Sequence, residues 1–143
     1  MTQFKGIVFD MDGTLVDSEI IWEEAESEMF AARGLTYTDE ARQQVIGLRM
    51  DAFFQKLIEI YDLDETVEAL SADLIERMLA KIPTMVKAKP GAEAIIEWAT
   101  EHKLPYCIAS SSPNSIIDAI VIAQGWDDLI PKRYSADEVA LGK

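Results

Sequence analysis

The residues best suited to chemistry are two aspartates, Asp10 and Asp12, which follow the short apolar run Gly6–Phe9. Side chains alternate along a strand, so an extended chain would project both carboxylates to the same side. Two anions this close repel each other unless a cation or a proton lies between them, and Mg²⁺ prefers oxygen ligands. The hydroxyls of Thr14 and Ser18 follow and could bind a ligand or hold the loop. The segment therefore predicts a magnesium-dependent site for phosphoryl transfer.

A surface turn uses the same residue types, and an isolated D-x-D would favour that simpler interpretation. The complete segment 10–18, D-M-D-G-T-L-V-D-S, directly after an apolar strand favours a site instead. It resembles motif I of the haloacid dehalogenase-like hydrolases. The resemblance implies that Asp10 is the nucleophile and forms an aspartyl-phosphate. It also implies that Asp12 is the general acid/base, which protonates the leaving oxygen and then deprotonates water. Both aspartates would hold Mg²⁺.

Composition limits the possible partners and locations. The formal net charge of −13 opposes binding to nucleic acid or to an anionic membrane surface. An apolar content of 49% is sufficient for a hydrophobic core. No segment reaches the roughly 18 apolar residues needed to span a bilayer, and no basic-then-apolar leader begins the chain, so we expect a cytoplasmic location.

Hydrophobic periodicity predicts one strand, then four helices, then alternating strands and helices. The first strand is expected over residues 5–10. The helices are expected over residues 18–33, 38–47, 50–61 and 66–82, with Ser18 capping the first helix and Pro83 ending the fourth. Downstream, we expect a helix over residues 92–103, a strand over 105–109, a helix from Pro113 capped by Ser112, and a strand over 131–135.

This order predicts an α/β fold, a Rossmann-like parallel sheet that is incomplete at about three strands, with an inserted four-helix cap. The core domain would comprise residues 1–17 and 87–143, and the helical cap residues 18–86. Ser110 follows the second strand as Asp10 follows the first, and adjacent strands lie only about 5 Å apart. The two loops should therefore meet, although a triple serine could also be only a cap and a turn.

The resemblance assigns roles to further residues. Ser110 matches the motif II hydroxyl that holds the transferring phosphoryl group, and Ser111 and Asn114 would contact the substrate, although Asn114 could equally cap the helix. Lys143 matches the motif III lysine that neutralises charge on the nucleophile and the phosphate; a terminal lysine could also be merely solvated. Arg49 follows Gly47-Leu48, and the Gly-x-Arg of the β-phosphoglucomutase-like branch contacts the substrate, although a solvated arginine is the alternative.

Trp22 distinguishes among the relatives, because mutases of that branch carry histidine at the matching position of the cap. The closer resemblance is to sugar-phosphate phosphatases, including the 2-deoxyglucose-6-phosphate type. It implies a Mg²⁺-dependent phosphatase that acts on a small phosphorylated sugar, and that Trp22 contacts this substrate. Phosphoryl transfer of the mutase type remains the alternative within the family.

The family pattern continues beyond Lys143 with a helix and two strands, the first of which ends in the motif IV acids. We therefore expect this chain to be weakly active or inactive, with its first strand left at an edge of the sheet. Two other interpretations remain. One is a non-catalytic fragment that self-associates through that edge. The other is a receiver-like domain that binds a phosphoryl group, which the long helical insert disfavours.

Overall fold

The structure is a computed structural model that describes residues 4–140. A short strand β1 (Ile7–Phe9) is followed by four helices, α1 (Glu19–Ala31), α2 (Asp39–Val45), α3 (Met50–Tyr61) and α4 (Val67–Met85). The chain then forms α5 (Ala92–Glu101), β2 (Tyr106–Ser110), α6 (Asn114–Ala123), β3 (Arg133–Ser135) and a 3-10 turn at Ala136–Glu138. The predicted α/β fold is confirmed, and every predicted helix and strand has a counterpart. The expected motif III lysine, Lys143, lies outside the described residues.

The three strands form one parallel sheet in the order β1-β2-β3. Phe9 pairs with Ile108 between β1 and β2, and Ser110 pairs with Ser135 between β2 and β3. The central strand has the apolar character that burial on both faces requires. β1 is three residues long rather than the predicted six. After Phe9 the chain no longer pairs with β2, because it turns to form a loop over residues 10–16, the aspartate loop. Among the described strands β1 is an edge strand, and its Val8 side chain is 68% exposed.

Helices α1 to α4 form one helical segment, residues 18–86. The chain enters and leaves this helical segment at adjacent points. The amide of Asp17 donates to the carbonyl of Lys87 at 2.9 Å, and the amide of Lys89 donates to the carbonyl of Leu15 at 2.8 Å. These two bonds join residues about seventy positions apart. The helical segment therefore begins and ends at a single paired stem next to the aspartate loop.

Local sequence signals explain most helix boundaries. Thr38 and Thr66 cap α2 and α4, and their hydroxyls accept bonds from the amides of Ala41 and Ala69 at 3.2 Å. The expected end of the fourth helix is wrong. Pro83 lies inside α4, which continues to Met85. A proline in the last turn removes only one intrahelical bond, so the helix tolerates it.

One hydrophobic core joins the helical segment to the sheet. Helix α4 packs against both α1 and α6, and its Leu74, Met78 and Ile82 side chains are almost completely buried. Trp126 closes the core after α6. No helix in the described part of the chain is both long enough and apolar enough to cross a membrane.

Candidate active site

Asp12 is the centre of a hydrogen-bond network that joins the two expected loops. Its Oδ2 atom accepts bonds from the hydroxyls of Ser110 at 3.0 Å and Ser112 at 2.7 Å. Its Oδ1 atom accepts bonds from the hydroxyl of Ser18 at 2.5 Å and the indole N–H of Trp22 at 3.3 Å. The expectation that the aspartate and serine loops are neighbours is therefore confirmed at Asp12. Four donors from two parts of the chain hold this carboxylate in one orientation.

The parallel pairing of β1 and β2 explains this meeting. Phe9 and Ile108 are paired, so both strands end at the same edge of the sheet and both loops leave from that edge. The amides of Leu15 and Val16 donate to the carbonyl of Met11 at 2.9 and 3.2 Å, which folds the aspartate loop back on itself. Gly13 has a φ of 73°, a conformation in which a side chain would be strained.

Asp10 lies beside this network. The hydroxyl of Thr14 donates to its Oδ2 atom at 3.1 Å. Met11 is completely buried whereas Asp10 and Asp12 are both half-buried, as expected for side chains that alternate between two faces. Thr14 therefore holds the loop, one of the two roles expected of its hydroxyl.

The donor chemistry of the two aspartates fits Mg²⁺. This ion commonly binds one or two protein carboxylates and completes its shell with water and substrate oxygens. Between residues 4 and 140, no group of three or more His, Cys, Asp or Glu side chains is arranged to hold a metal ion. The pair Asp10 and Asp12 matches the one or two carboxylates that Mg²⁺ commonly takes from a protein.

A cavity of about 310 Å³ lies against Asp12. The serine loop contributes Ser111, Ser112 and Pro113 to its wall, and the helical segment contributes the rest. Apolar side chains dominate that contribution, namely Trp22, Val45, Ile46, Leu48, Met50, Phe53 and Leu74. The polar residues are Glu19, Glu26, Tyr37 and Arg42. A small organic molecule attached to a phosphate could thus contact both the carboxylate loop and the helices.

The carboxyl group of Glu26, which lines this cavity, is almost completely buried. Burial raises the pKa of Glu26 from its usual 4.5 to about 7, although the nearby Tyr37 hydroxyl and the charge of Arg42 oppose the increase. The Tyr37 hydroxyl is itself buried, and it makes no hydrogen bond of ordinary geometry with any described residue. Burial, followed by the charge of Glu26, also raises the pKa of Tyr37. Arg42 is paired with Glu23 at 3.0 Å.

The other predicted site residues fall into two groups. Trp22 and Ser111 line the cavity with Asp12, whereas Ser110 is buried beneath it and bonded to Asp12. Arg49 and Asn114 are not among the cavity residues. Their roles as substrate contacts stay predictions.

Arg49 and Asn114 instead contact the segment that follows β3. The guanidinium of Arg49 donates to the carbonyl of Val139 at 2.9 Å, and its Nε atom lies 3.9 Å from the carboxylate of Asp137. The side-chain amide of Asn114 donates to the carboxylate of Glu138. Burial raises the pKa of Asp137, and the charge of Arg49 opposes that increase. Arg49 therefore ties the start of α3 to the core.

The sequence analysis did not predict the role of two serine hydroxyls, and it did not single out several residues of the cavity. Ser18 is the N-cap residue of α1, as predicted, but its hydroxyl donates to Asp12 instead of to a helix amide. Ser112 does not cap α6, because its hydroxyl also donates to Asp12 and Pro113 is the N-cap residue. Glu26, Tyr37 and Arg42 were not singled out. A signal for Glu26 exists, since it lies four positions after Trp22 and therefore on the same face of α1.

A parallel sheet with acidic and hydroxyl loops at one edge, and a helical segment inserted after the first strand, defines the class of this protein. The chain matches the haloacid dehalogenase-like hydrolase family over residues 7–143, and it belongs to that family.

Similar proteins are phosphatases or share the fold. The chain is 30% identical over 112 residues to a probable pseudouridine-5'-phosphatase of Drosophila melanogaster, a match that covers 78% of this chain and 48% of that protein. It is 24% identical over 147 residues to hexitol phosphatase B of Escherichia coli K12, covering 99% and 64%. The structure of CbbY from Rhodobacter sphaeroides in complex with phosphate has a TM-score of 0.82 at 19% identity, covering 96% and 66%. The chain thus spans about half to two thirds of the length of these relatives.

Proposed function

We propose that this protein is a Mg²⁺-dependent phosphatase that hydrolyses small sugar phosphates or sugar-alcohol phosphates through an aspartyl-phosphate. The observation that carries the proposal is the network in which Ser110 and Ser112 donate to Asp12 at the edge of the sheet. It brings a carboxylate and hydroxyls from distant parts of the chain to one wall of a cavity. The family membership and the phosphatase relatives support the same reaction.

In the proposed reaction, a carboxylate oxygen of Asp10 attacks phosphorus while the bond to the leaving oxygen breaks. Asp12 donates a proton to that oxygen, so the product leaves as an alcohol. Asp12 then takes a proton from a water molecule that attacks phosphorus, which releases inorganic phosphate and restores Asp10. The hydroxyl of Ser110 holds the phosphoryl group. Mg²⁺, when bound by Asp10 and Asp12, would offset the negative charge of the carboxylates and the phosphate.

The remaining predicted roles belong to this proposal. Lys143 would add positive charge beside the phosphoryl group, and Trp22, Ser111, Arg49 and Asn114 would contact the substrate. Residues 18–86 would act as a cap on a core of residues 1–17 and 87–143. The paired stem at Asp17 and Lys87 supports this division.

Hydrolysis is favoured over transfer of the mutase type by the residues at the cavity. The chain has a single histidine, His102, which stacks on Trp98 and does not line the cavity. Trp22 donates to Asp12 at the position where the mutases carry histidine. Self-association through the β1 edge and a cytoplasmic location stay predictions, as does the expectation that nucleic acids and membranes are not partners.

The test is steady-state hydrolysis by the purified chain with Mg²⁺ and a panel of hexose and hexitol phosphates. We expect at most weak release of phosphate, and Asp10→Asn should abolish it. Asp17→Asn is the matched control, because Asp17 lies in the same segment but on the stem, where its backbone amide bonds to Lys87. Equal activity in Asp10→Asn and the unchanged protein would contradict the proposed nucleophile.

A further inference from the structure

We infer that Glu26 and Tyr37 form a subsite for the hydroxyl groups of a neutral, polyhydroxylated leaving group. This inference rests on the proposed function, since it concerns the part of the substrate that remains after the phosphoryl group is removed. The two residues come from different elements, Glu26 from α1 and Tyr37 from the connection before α2. Both line the cavity that contains Asp12.

The first argument is the burial of polar groups without sufficient partners. Glu26 is only 7% exposed, and the buried hydroxyl of Tyr37 has no partner of ordinary hydrogen-bond geometry among the residues described. The Tyr37 hydroxyl lies close enough to Glu26 to affect its pKa, but a buried donor that makes no well-aligned hydrogen bond still costs free energy, and a ligand acceptor beside it would reduce that cost. A ligand hydroxyl can accept from Tyr37 and share a hydrogen bond with Glu26 at the same time.

The second argument is charge. Glu19 and Asp12 also line this cavity, so a second phosphate on the substrate would meet several carboxyl groups. Arg42 is the cation in the cavity wall, and its guanidinium forms a salt bridge with the carboxylate of Glu23 at 3.0 Å. Because burial brings the pKa of Glu26 to about 7, this carboxyl exists in both protonation states near neutrality. A hydroxyl group suits either state, since it both donates and accepts, whereas a phosphate or an ammonium group suits only one.

The third argument is spacing. Trp22 donates to Asp12, and Glu26 lies four residues further along α1, which is a displacement of about 6 Å along the helix axis. A chain or ring of a few carbons could therefore reach from the phosphate to Glu26. The indole of Trp22 and the side chains of Phe53 and Leu74 line the same cavity and offer apolar surface to the C–H groups. Apolar walls with a few polar groups are typical of small-molecule sites.

The experiment compares binding of two compounds of similar length, glucitol 6-phosphate and n-hexyl phosphate, of which only the first carries hydroxyl groups. Calorimetric titrations use the Asp10→Asn protein, so that turnover does not interfere. Adding Glu26→Leu or Tyr37→Phe should weaken binding of glucitol 6-phosphate about tenfold relative to n-hexyl phosphate, the usual effect of losing a buried hydrogen bond. Tyr37→Phe removes one oxygen atom and keeps the ring, so it carries the test even where Glu26→Leu fails to fold.

Two control variants match these substitutions. Glu24→Leu makes the same change on the exposed side of α1, and Tyr134→Phe removes an exposed hydroxyl on β3, outside the cavity. Neither should change the ratio of the two dissociation constants. A ratio unchanged by Tyr37→Phe, or equal weakening of both compounds, would overturn the subsite. Normal discrimination in a chain that hydrolyses no phosphate ester would instead count against the proposed function alone.

Discussion

Replacing Glu26 with glutamine should change how the stability of the protein depends on pH. Burial raises the pKa of Glu26 from 4.5 to about 7, with opposing effects of Tyr37 and Arg42 and a smaller raising effect of Glu23. The folded protein therefore keeps a proton that the unfolded chain releases above its own lower pKa. The free energy of unfolding should fall as pH rises from about 4.5 to about 7, and this contribution should level off above that range.

The size of the effect follows from the shift of the pKa. Each unit corresponds to about 1.36 kcal/mol, so the complete effect is about 3 kcal/mol. About 2.5 kcal/mol of it should be lost between pH 5 and pH 8, because the unfolded carboxyl is already partly ionised at pH 5. Glutamine cannot ionise, so Glu26→Gln should lack this loss while every other titrating group remains.

Urea unfolding at pH 5 and pH 8, followed by tryptophan fluorescence, measures the difference directly. We expect the unchanged protein to lose roughly 2 to 3 kcal/mol more than Glu26→Gln between the two pH values. Glu24→Gln should behave as the unchanged protein, since Glu24 is exposed on the same helix. The same pH dependence in the unchanged protein and in Glu26→Gln would refute the reasoning, because it would mean that Glu26 ionises as it does in water.

Two further predictions concern stability. Ser112→Ala should lower the free energy of unfolding by about 1–2 kcal/mol, because it removes a donor to Asp12 from a buried position; urea unfolding checks this, and no loss of stability would mean that the bond is not made in solution. Arg33→Met should cost about 1–2 kcal/mol, because Arg33 bonds to both Glu65 and Asp73 at 2.7 Å. That cost should shrink when unfolding is repeated at high salt, and a cost independent of salt would argue for lost packing instead.

The parts of the fold that follow from local patterns were predictable. Thr38 marks the start of a helix because its hydroxyl can satisfy a free amide, whatever the rest of the chain does. The apolar run at Tyr106–Ser110 indicates a buried parallel strand, and the shared edge of such a sheet predicts that Asp12 and Ser110 meet. These inferences require only chain geometry and the pairing of adjacent strands.

The features that depend on a choice between alternative hydrogen-bond partners were not predictable from the sequence. Ser18 and Ser112 each precede a helix, and a hydroxyl there can cap the helix or bond elsewhere. In the folded protein Asp12 lies close to both hydroxyls, so they donate to its carboxylate instead of capping the helices. Likewise, the pKa of Glu26 depends on its burial in the folded protein and on Tyr37 and Arg42, which lie outside its helix. Pro83 does not end α4, because a proline in the last turn of a helix removes only one backbone hydrogen bond. The sequence alone does not show how far beyond Pro83 the helix continues.

Covalent labelling of Asp10 tests the central claim most directly. The purified chain is incubated with acetyl phosphate and Mg²⁺, quenched in acid, and examined by mass spectrometry of the intact protein and its peptides. We predict one added phosphoryl group, located on Asp10, which hydroxylamine removes and Asp10→Asn prevents. Asp17→Asn should label normally. Labelling of another residue, or no labelling of a folded chain, would contradict the phosphoryl-transfer site built around Asp10 and Asp12.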